Sequence, residues 1–310
     1  MNNMRQIIFV LCTALAACEQ QPAETVLNGA SQNAASIVMA SNYPLYFFAH
    51  ELVGDSGAPI DIRFPERMGD PANWEPDSAA ITGLQNARLI LLNGAGYELW
   101  LGWVTLPGDR LLDTSVEFTD RLIPLLEESV HQHGPAGEHS HTGTAFTVWL
   151  DPSLAIQQAQ AIEHALSALA PDHAQSFKTN LAILLERLKS LDRDQQQAFQ
   201  ALAGQALIFS HPVYQYLQAR YGLNGLSLHW EPEEYPGPRA WIDLHEILSR
   251  HPATLMLWED EPLAETRKQL QQSGIRSVPF HTASNRPASG DYFDVMNANL
   301  ERLKGVATEP

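Results

Sequence analysis

The segment HQHGPAGEHSH, residues 131–141, sets His131, His133, His139 and His141 beside Glu138, with Gly134, Pro135 and Gly137 between them. Four of the chain's 12 histidines fall in this segment, a composition that marks a metal-binding tract. Imidazole suits Zn, Cu, Ni and Fe(II), whereas manganese prefers oxygen. Histidine-rich ligation therefore points to zinc and leaves copper and nickel open. Two His-x-His pairs on a Gly/Pro-rich loop can converge on one ion, because such a loop has no regular geometry to preserve. A second set of candidates lies at the ends of short apolar runs. His211 comes directly after ALIFS (206–210), His229 and Glu231 close LSLHW (226–230), and Glu259 and Glu261 come after TLMLW (254–258). Ligands of open parallel sheets bind beyond the carboxyl ends of the strands. His229 also alternates with Leu226 and Leu228, a pattern that suits a core position equally well. In the first half, strand ends offer Tyr43 and Asn93, with Asp70, Asn73, Trp74 and Glu75 in GDPANWEP and Trp149 and Asp151 in VWLDP. Tyr43, Trp74, Trp149 and Trp230 would instead suit an organic ligand. His50, His164, His173, His245 and His251 read as surface or packing residues, and His281 stays open. No HExxH and no serine nucleophile elbow occurs, so the chain reads as a non-enzyme.

The elements that must position these residues alternate in type. SIVMA (36–40), IDIRF (60–64) and RLILLN (88–93) read as strands, separated by helical stretches from about Pro44 to Leu52 and over 76–87. ALIFS, LSLHW, TLMLW and RSVPF (276–280) repeat the pattern late in the chain. Alternation of this kind predicts an α/β fold, with parallel-rich sheets covered by helices. Between the two sets, Pro152 and Pro171 mark helix starts. The stretch 172–203 carries helically spaced apolar residues without internal Pro or Gly. Thirty residues at about 1.5 Å each reach roughly 45 Å, enough to cross from one lobe to the other. The expected organisation is an N-terminal lobe over 37–171 that carries the histidine loop 131–141, one long linking helix over 172–203, and a C-terminal lobe over 204–310.

Residues 1–17 read as a leader. Arg5 precedes an apolar run from Ile7 to Ala17 that is too short to span a bilayer. The run ends Leu15-Ala16-Ala17-Cys18, which resembles a bacterial lipobox. That resemblance implies cleavage before Cys18 and a lipid on its thiol. Residues 18–36 are small and polar, as in a flexible tether. Cys12 and Cys18 are the only cysteines, so the body of the chain holds no disulfide framework and no thiolate zinc site. With 36 acidic against 19 basic residues the net charge is −17. That charge argues against nucleic acid and against docking on anionic lipid through a basic face. The expected form is a monomer outside the cytoplasmic membrane, on its periplasmic side, held there by acyl chains.

The chain resembles the zinc- and manganese-binding receptors of bacterial ABC importers, from about Ile37 to Leu303. The matching stretches are ASNYPLYFFAHELVGD (40–55), GDPANWEPDSAAITGLQNARLILLNGAGYELWL (69–101), VWLDPSLA (148–155), IFSHPVYQYLQARYGLN (208–224) and MLWEDEPL (256–263). The resemblance implies two α/β lobes joined by one long rigid helix, and an ABC permease as partner. It also implies an ion held by histidines and carboxylates, and here the chain departs from the pattern. Ala72 stands where a DPH-type turn has histidine, Thr147 stands two residues before WLDP, and Tyr43 stands after the first strand. His211 alone occupies an expected histidine position, with Glu259 near the expected carboxylate. The expectation is that His139 or His141 joins His211 and Glu259 around a tetrahedral zinc ion, with His131, His133, His229, Glu231 and Glu261 as further candidates. The alternatives are a receptor of the same build for a non-metal ligand, or an accessory metal scavenger.

Overall fold

The computed structural model describes residues 35–65, 74–132 and 138–307, with the backbone alone for 126–132, 138–142 and 307. The leader, most of the tether, Cys18, His133, Asp70, Ala72 and Asn73 lie outside the described residues. Among those described, no helix is long and apolar enough to cross a membrane.

Two four-stranded parallel sheets organise the chain. The first joins β1 (Ser36–Ala40), β2 (Ile60–Arg63), β3 (Leu89–Leu92) and β4 (Leu111–Asp113) in the order β2-β1-β3-β4. The second joins β7 (Ala206–Phe209), β8 (Asn224–Ser227), β9 (Leu255–Trp258) and β10 (Arg276–Pro279) in the order β10-β9-β7-β8. Strands such as LILL and LMLW are apolar throughout because helices cover both of their faces. The crossovers of the first sheet include α1 (Tyr43–Val53) and α2 (Ser78–Asn86); those of the second are α5 (Gln215–Tyr221), α6 (Pro238–Arg250) and α7 (Ala264–Gln272). Asn42 and Asp77 cap α1 and α2 by accepting from Leu45 N and Ala80 N, the use for which Asn and Asp are favoured before a first turn. The expected fold class is the observed one.

Between the sheets run α3 (Pro152–Leu169) and α4 (Ala174–Gln200); α8 (Tyr292–Ala307) comes after the second sheet. The linking helix is thus slightly shorter than 172–203, because Pro171–His173 forms a separate 3-10 turn. It packs on α1, α3, α5 and α8. Phe177, Leu184, Leu188, Leu191 and Phe199 of α4 belong to one apolar core that also holds Val38 and Leu91 of the first sheet and Leu207, Leu257 and Val278 of the second. One core therefore serves both lobes.

The histidine segment departs from the expected loop. Pro124–Gln132 (β5) and Glu138–Thr144 (β6) form an antiparallel hairpin. Its register sets His131 opposite His139 and Ser129 opposite His141. Directly opposed residues, and residues two apart along a strand, share a face. The polar, histidine-rich composition hid a strand pair that backbone hydrogen bonding specifies.

Leu188 is fully buried at the centre of α4, whereas Ile183, five residues earlier, is 59% exposed. Leu188→Ala is expected to cost about 2–5 kcal/mol and Ile183→Ala less than about 0.5 kcal/mol, as read from the midpoints of urea unfolding.

Candidate metal centre

Ser210 is the pivot of the second sheet's carboxyl edge. Its N–H donates to Leu257 O at 2.9 Å, and its carbonyl accepts from Trp230 N at 2.8 Å. Leu228 N donates to Phe209 O at 2.8 Å in the same ladder. The chain after β8 and the end of β9 thus lie on either side of the residue that precedes His211. Close approach of β8 depends on Gly225, where a Cβ would fall 2.3 Å from the Phe209 ring. Pro212 cannot continue a ladder, and the chain turns there into α5.

This edge brings three predicted ligands together. His211 Nδ1 lies 3.2 Å from Glu231 Oε1 and 3.8 Å from Glu259 Oε1. One ligand atom from each of the three fits within 4.8 Å of the others. The side chains are 11%, 22% and 25% exposed, so the group is shielded yet open to solvent on one side. The His229 ring lies 5.6 Å from that of His211, centre to centre and near perpendicular. Its position corrects the sequence expectation of a strand over 226–230. The strand is Asn224–Ser227, and His229 lies beyond its end, half-buried, while Leu228 and Trp230 fill the core beneath. Glu261 is not part of the group: it is exposed and paired with Arg267. His281 Nδ1 lies 3.6 Å from Asp260 Oδ1, and burial lowers its pKa, keeping the ring neutral.

The first lobe contributes differently. Tyr43 is buried at the start of α1, and burial pushes its phenol up to about 12, far from the deprotonated form that a metal would require. Thr147 Oγ1 donates to Val213 O at 2.6 Å, two residues beyond His211. Trp149 Nε1 donates to Thr282 O at 2.7 Å, and Asp151 caps α3. Trp149, Trp230 and Trp74 belong to three separate apolar clusters, so they do not line one organic pocket. The hairpin is rooted on α5: Tyr216 accepts from Ile123 N at 3.2 Å and donates to Ala145 O at 2.9 Å, at the two ends of the ribbon's base.

A second buried polar group lies behind the carboxyl edge of the first sheet. Asn93 Nδ2 donates to Phe146 O at 2.9 Å, and Asn93 Oδ1 accepts from Asn42 and Gln158, each at 3.3 Å. Glu98 holds this turn by accepting from Asn93 N at 2.6 Å and Gly94 N at 3.1 Å. Gly94 has φ +72°, and a Cβ there would meet Asp113 at 2.0 Å. The sequence reading missed Glu98; its one signal is a carboxylate inside the apolar stretch GYELWLGW.

A model of the periplasmic zinc-uptake complex component A family, ZnuA, matches residues 38–306. The zinc-binding protein AdcA of Streptococcus pyogenes serotype M3 is 26% identical over 287 residues, covering 86% of this chain and 55% of that protein. The zinc-binding lipoprotein AdcA of Streptococcus pneumoniae strain R6 is 25% identical over 331 aligned positions, covering 100% of this chain and 63% of that protein. This chain thus spans little more than half the length of these curated relatives. The crystal structure of the Zn(II)-bound ZnuA-like domain of S. pneumoniae AdcA superposes with a TM-score of 0.72 at 22% identity, covering 89% of this chain and 99% of that one. At that identity the likeness is one of fold.

Burial pushes the Glu98 carboxyl up to about 7, against the pull of its Ser41, Asn93 and Gly94 partners. The folded state therefore holds this proton more tightly than the unfolded chain, whose value is near 4.5. The stability it contributes is full below that value and is lost as pH rises through 7. Between pH 5 and 8 the wild type is expected to lose stability relative to Glu98→Gln, by at most about 1.4 kcal/mol per pH unit. Urea midpoints measured side by side check this.

Proposed function

The chain belongs to the family of periplasmic zinc-uptake complex component A proteins, and from that membership we propose that it captures a transition-metal ion, zinc first, outside the cytoplasmic membrane and delivers it to an ABC permease. The observation that carries this reading is the convergence of His211, Glu231 and Glu259 at one sheet edge. Tetrahedral zinc with nitrogen and oxygen ligands at about 2.0–2.2 Å needs those atoms about 3.3–3.6 Å apart. The 3.2 and 3.8 Å separations bracket that range. Two carboxylates match the ion's charge, and the half-buried setting limits competition from water. The work is binding and release, without catalysis.

The hairpin's histidines serve as collectors. His131, His139 and His141, carried on two paired strands, offer several imidazoles to a passing ion, which then moves to the sheet edge. The Ala-Ala-Cys pattern at Cys18 supports a lipid anchor behind a flexible tether, and a single chain suffices for the task.

Zinc titration of the purified protein tests the reading. Glu231→Gln and Glu259→Gln are each expected to weaken the tight site by more than the roughly 10–100-fold typical of outer-shell partners. Failure of the wild type to bind zinc would falsify the proposal. Changing His131, His133, His139 and His141 together to Ala is expected to remove weakly held ions and leave the tight one; unchanged stoichiometry would rule out collection. Coordination needs neutral imidazole, so affinity is expected to fall as pH drops below about 6.5.

A further inference from the structure

We propose that His229 supplies the fourth ligand, so that the ion is held wholly by the second lobe through His211, His229, Glu231 and Glu259. The inference rests on the metal-capture reading above and deepens it. Two imidazoles on one tetrahedral zinc, with metal–nitrogen distances of about 2.0–2.1 Å, set their ring centres about 5 Å apart. The His211 and His229 rings are 5.6 Å apart and nearly perpendicular. Both Nδ1 atoms are out of contact with solvent. His229 is carried by the same ladder that positions Glu231, since Leu228 N and Trp230 N donate to Phe209 O and Ser210 O on either side of it. As the side chains stand, only His211, Glu231 and Glu259 of the four bring their ligand atoms within 4.8 Å of one another, so His229 joins them by turning its ring toward the ion.

The first lobe has little to add. Thr147 is committed to Val213 O. Tyr43 sits beneath Arg286, whose guanidinium carbon is 4.6 Å from the Tyr46 ring centre and 5.9 Å from that of Tyr43, and Tyr43 N donates to Ser284 O at 3.3 Å. Thr147 and the Tyr43 backbone are thus tied directly to the second lobe. Four protein ligands also close the ion's coordination, and a closed zinc site lacks the open position that hydrolysis requires.

X-ray absorption at the zinc edge of the wild type, and of the variant lacking all four hairpin histidines, tests the assignment without depending on how a His229 variant folds. Two imidazoles in the first shell of both proteins are expected. A single imidazole in either overturns the inference. In parallel, His229→Ala is expected to bind one tight zinc at least tenfold more weakly than the wild type, while His139→Ala/His141→Ala keeps wild-type affinity for the tight ion. The reverse ranking assigns the fourth position to the hairpin and overturns this inference while leaving metal capture standing. Absence of tight zinc from the wild type overturns the functional reading itself.

Discussion

Everything at the carboxyl edge of the second sheet depends on Ser210 being hydrogen-bonded on both sides at once, to Leu257 across β9 and to Trp230 beyond β8. A parallel sheet ends its strands on one side, so residues at the ends of different strands become neighbours without being near in sequence. The double anchoring turns that tendency into a fixed arrangement: His211 emerges in the middle, flanked by Glu259 and Glu231. Two carboxylates beside one imidazole in a shielded place are unfavourable neighbours by themselves, because like charges repel more strongly as water is excluded. A divalent cation relieves that repulsion. The sheet thus holds together groups that positive charge would stabilise.

The same sheet logic explains how much could be read from the chain alone. Runs such as ALIFS and TLMLW announce buried strands, and the residues just after each run must lie at the carboxyl edge; hence His211 and Glu259 were legible as partners. Glu261 was legible only as a neighbour of that edge, since sequence does not tell which carboxylate of the WEDEP turn faces inward and which finds Arg267. The register of β8 was misjudged because Leu226 and Leu228 alternate as a strand does, while the strand begins at Asn224, with Gly225 admitting the Phe209 ring. A glycine chosen for close approach gives no hydrophobic signal. The hairpin was misread for a related reason. Its second strand, EHSHTGT, is polar, and the pairing of a polar strand is written in the backbone rather than in periodicity.

The two lobes differ in how they use polar residues. The second lobe presents them at its edge, shielded and close together. The first lobe buries them as a support: Asn93 ties Asn42, Gln158 and Phe146 together, and Glu98 fixes the turn beneath. Such a network is favourable only when its members are satisfied, and it leads directly to Thr147 and its bond to Val213. The first lobe thus braces the turn that carries His211.

On the proposed reading, the bonds that already join the halves, Thr147 to Val213, Trp149 to Thr282 and Tyr292 to Trp149, leave little change of shape for a bound ion to induce. The permease proposed as partner would then have electrostatics rather than outline by which to tell a loaded molecule from an empty one. An ion held by Glu231 and Glu259 would cancel two negative charges at a single rim, and within a Debye length of about 8 Å that difference in potential is what a docking surface would sense.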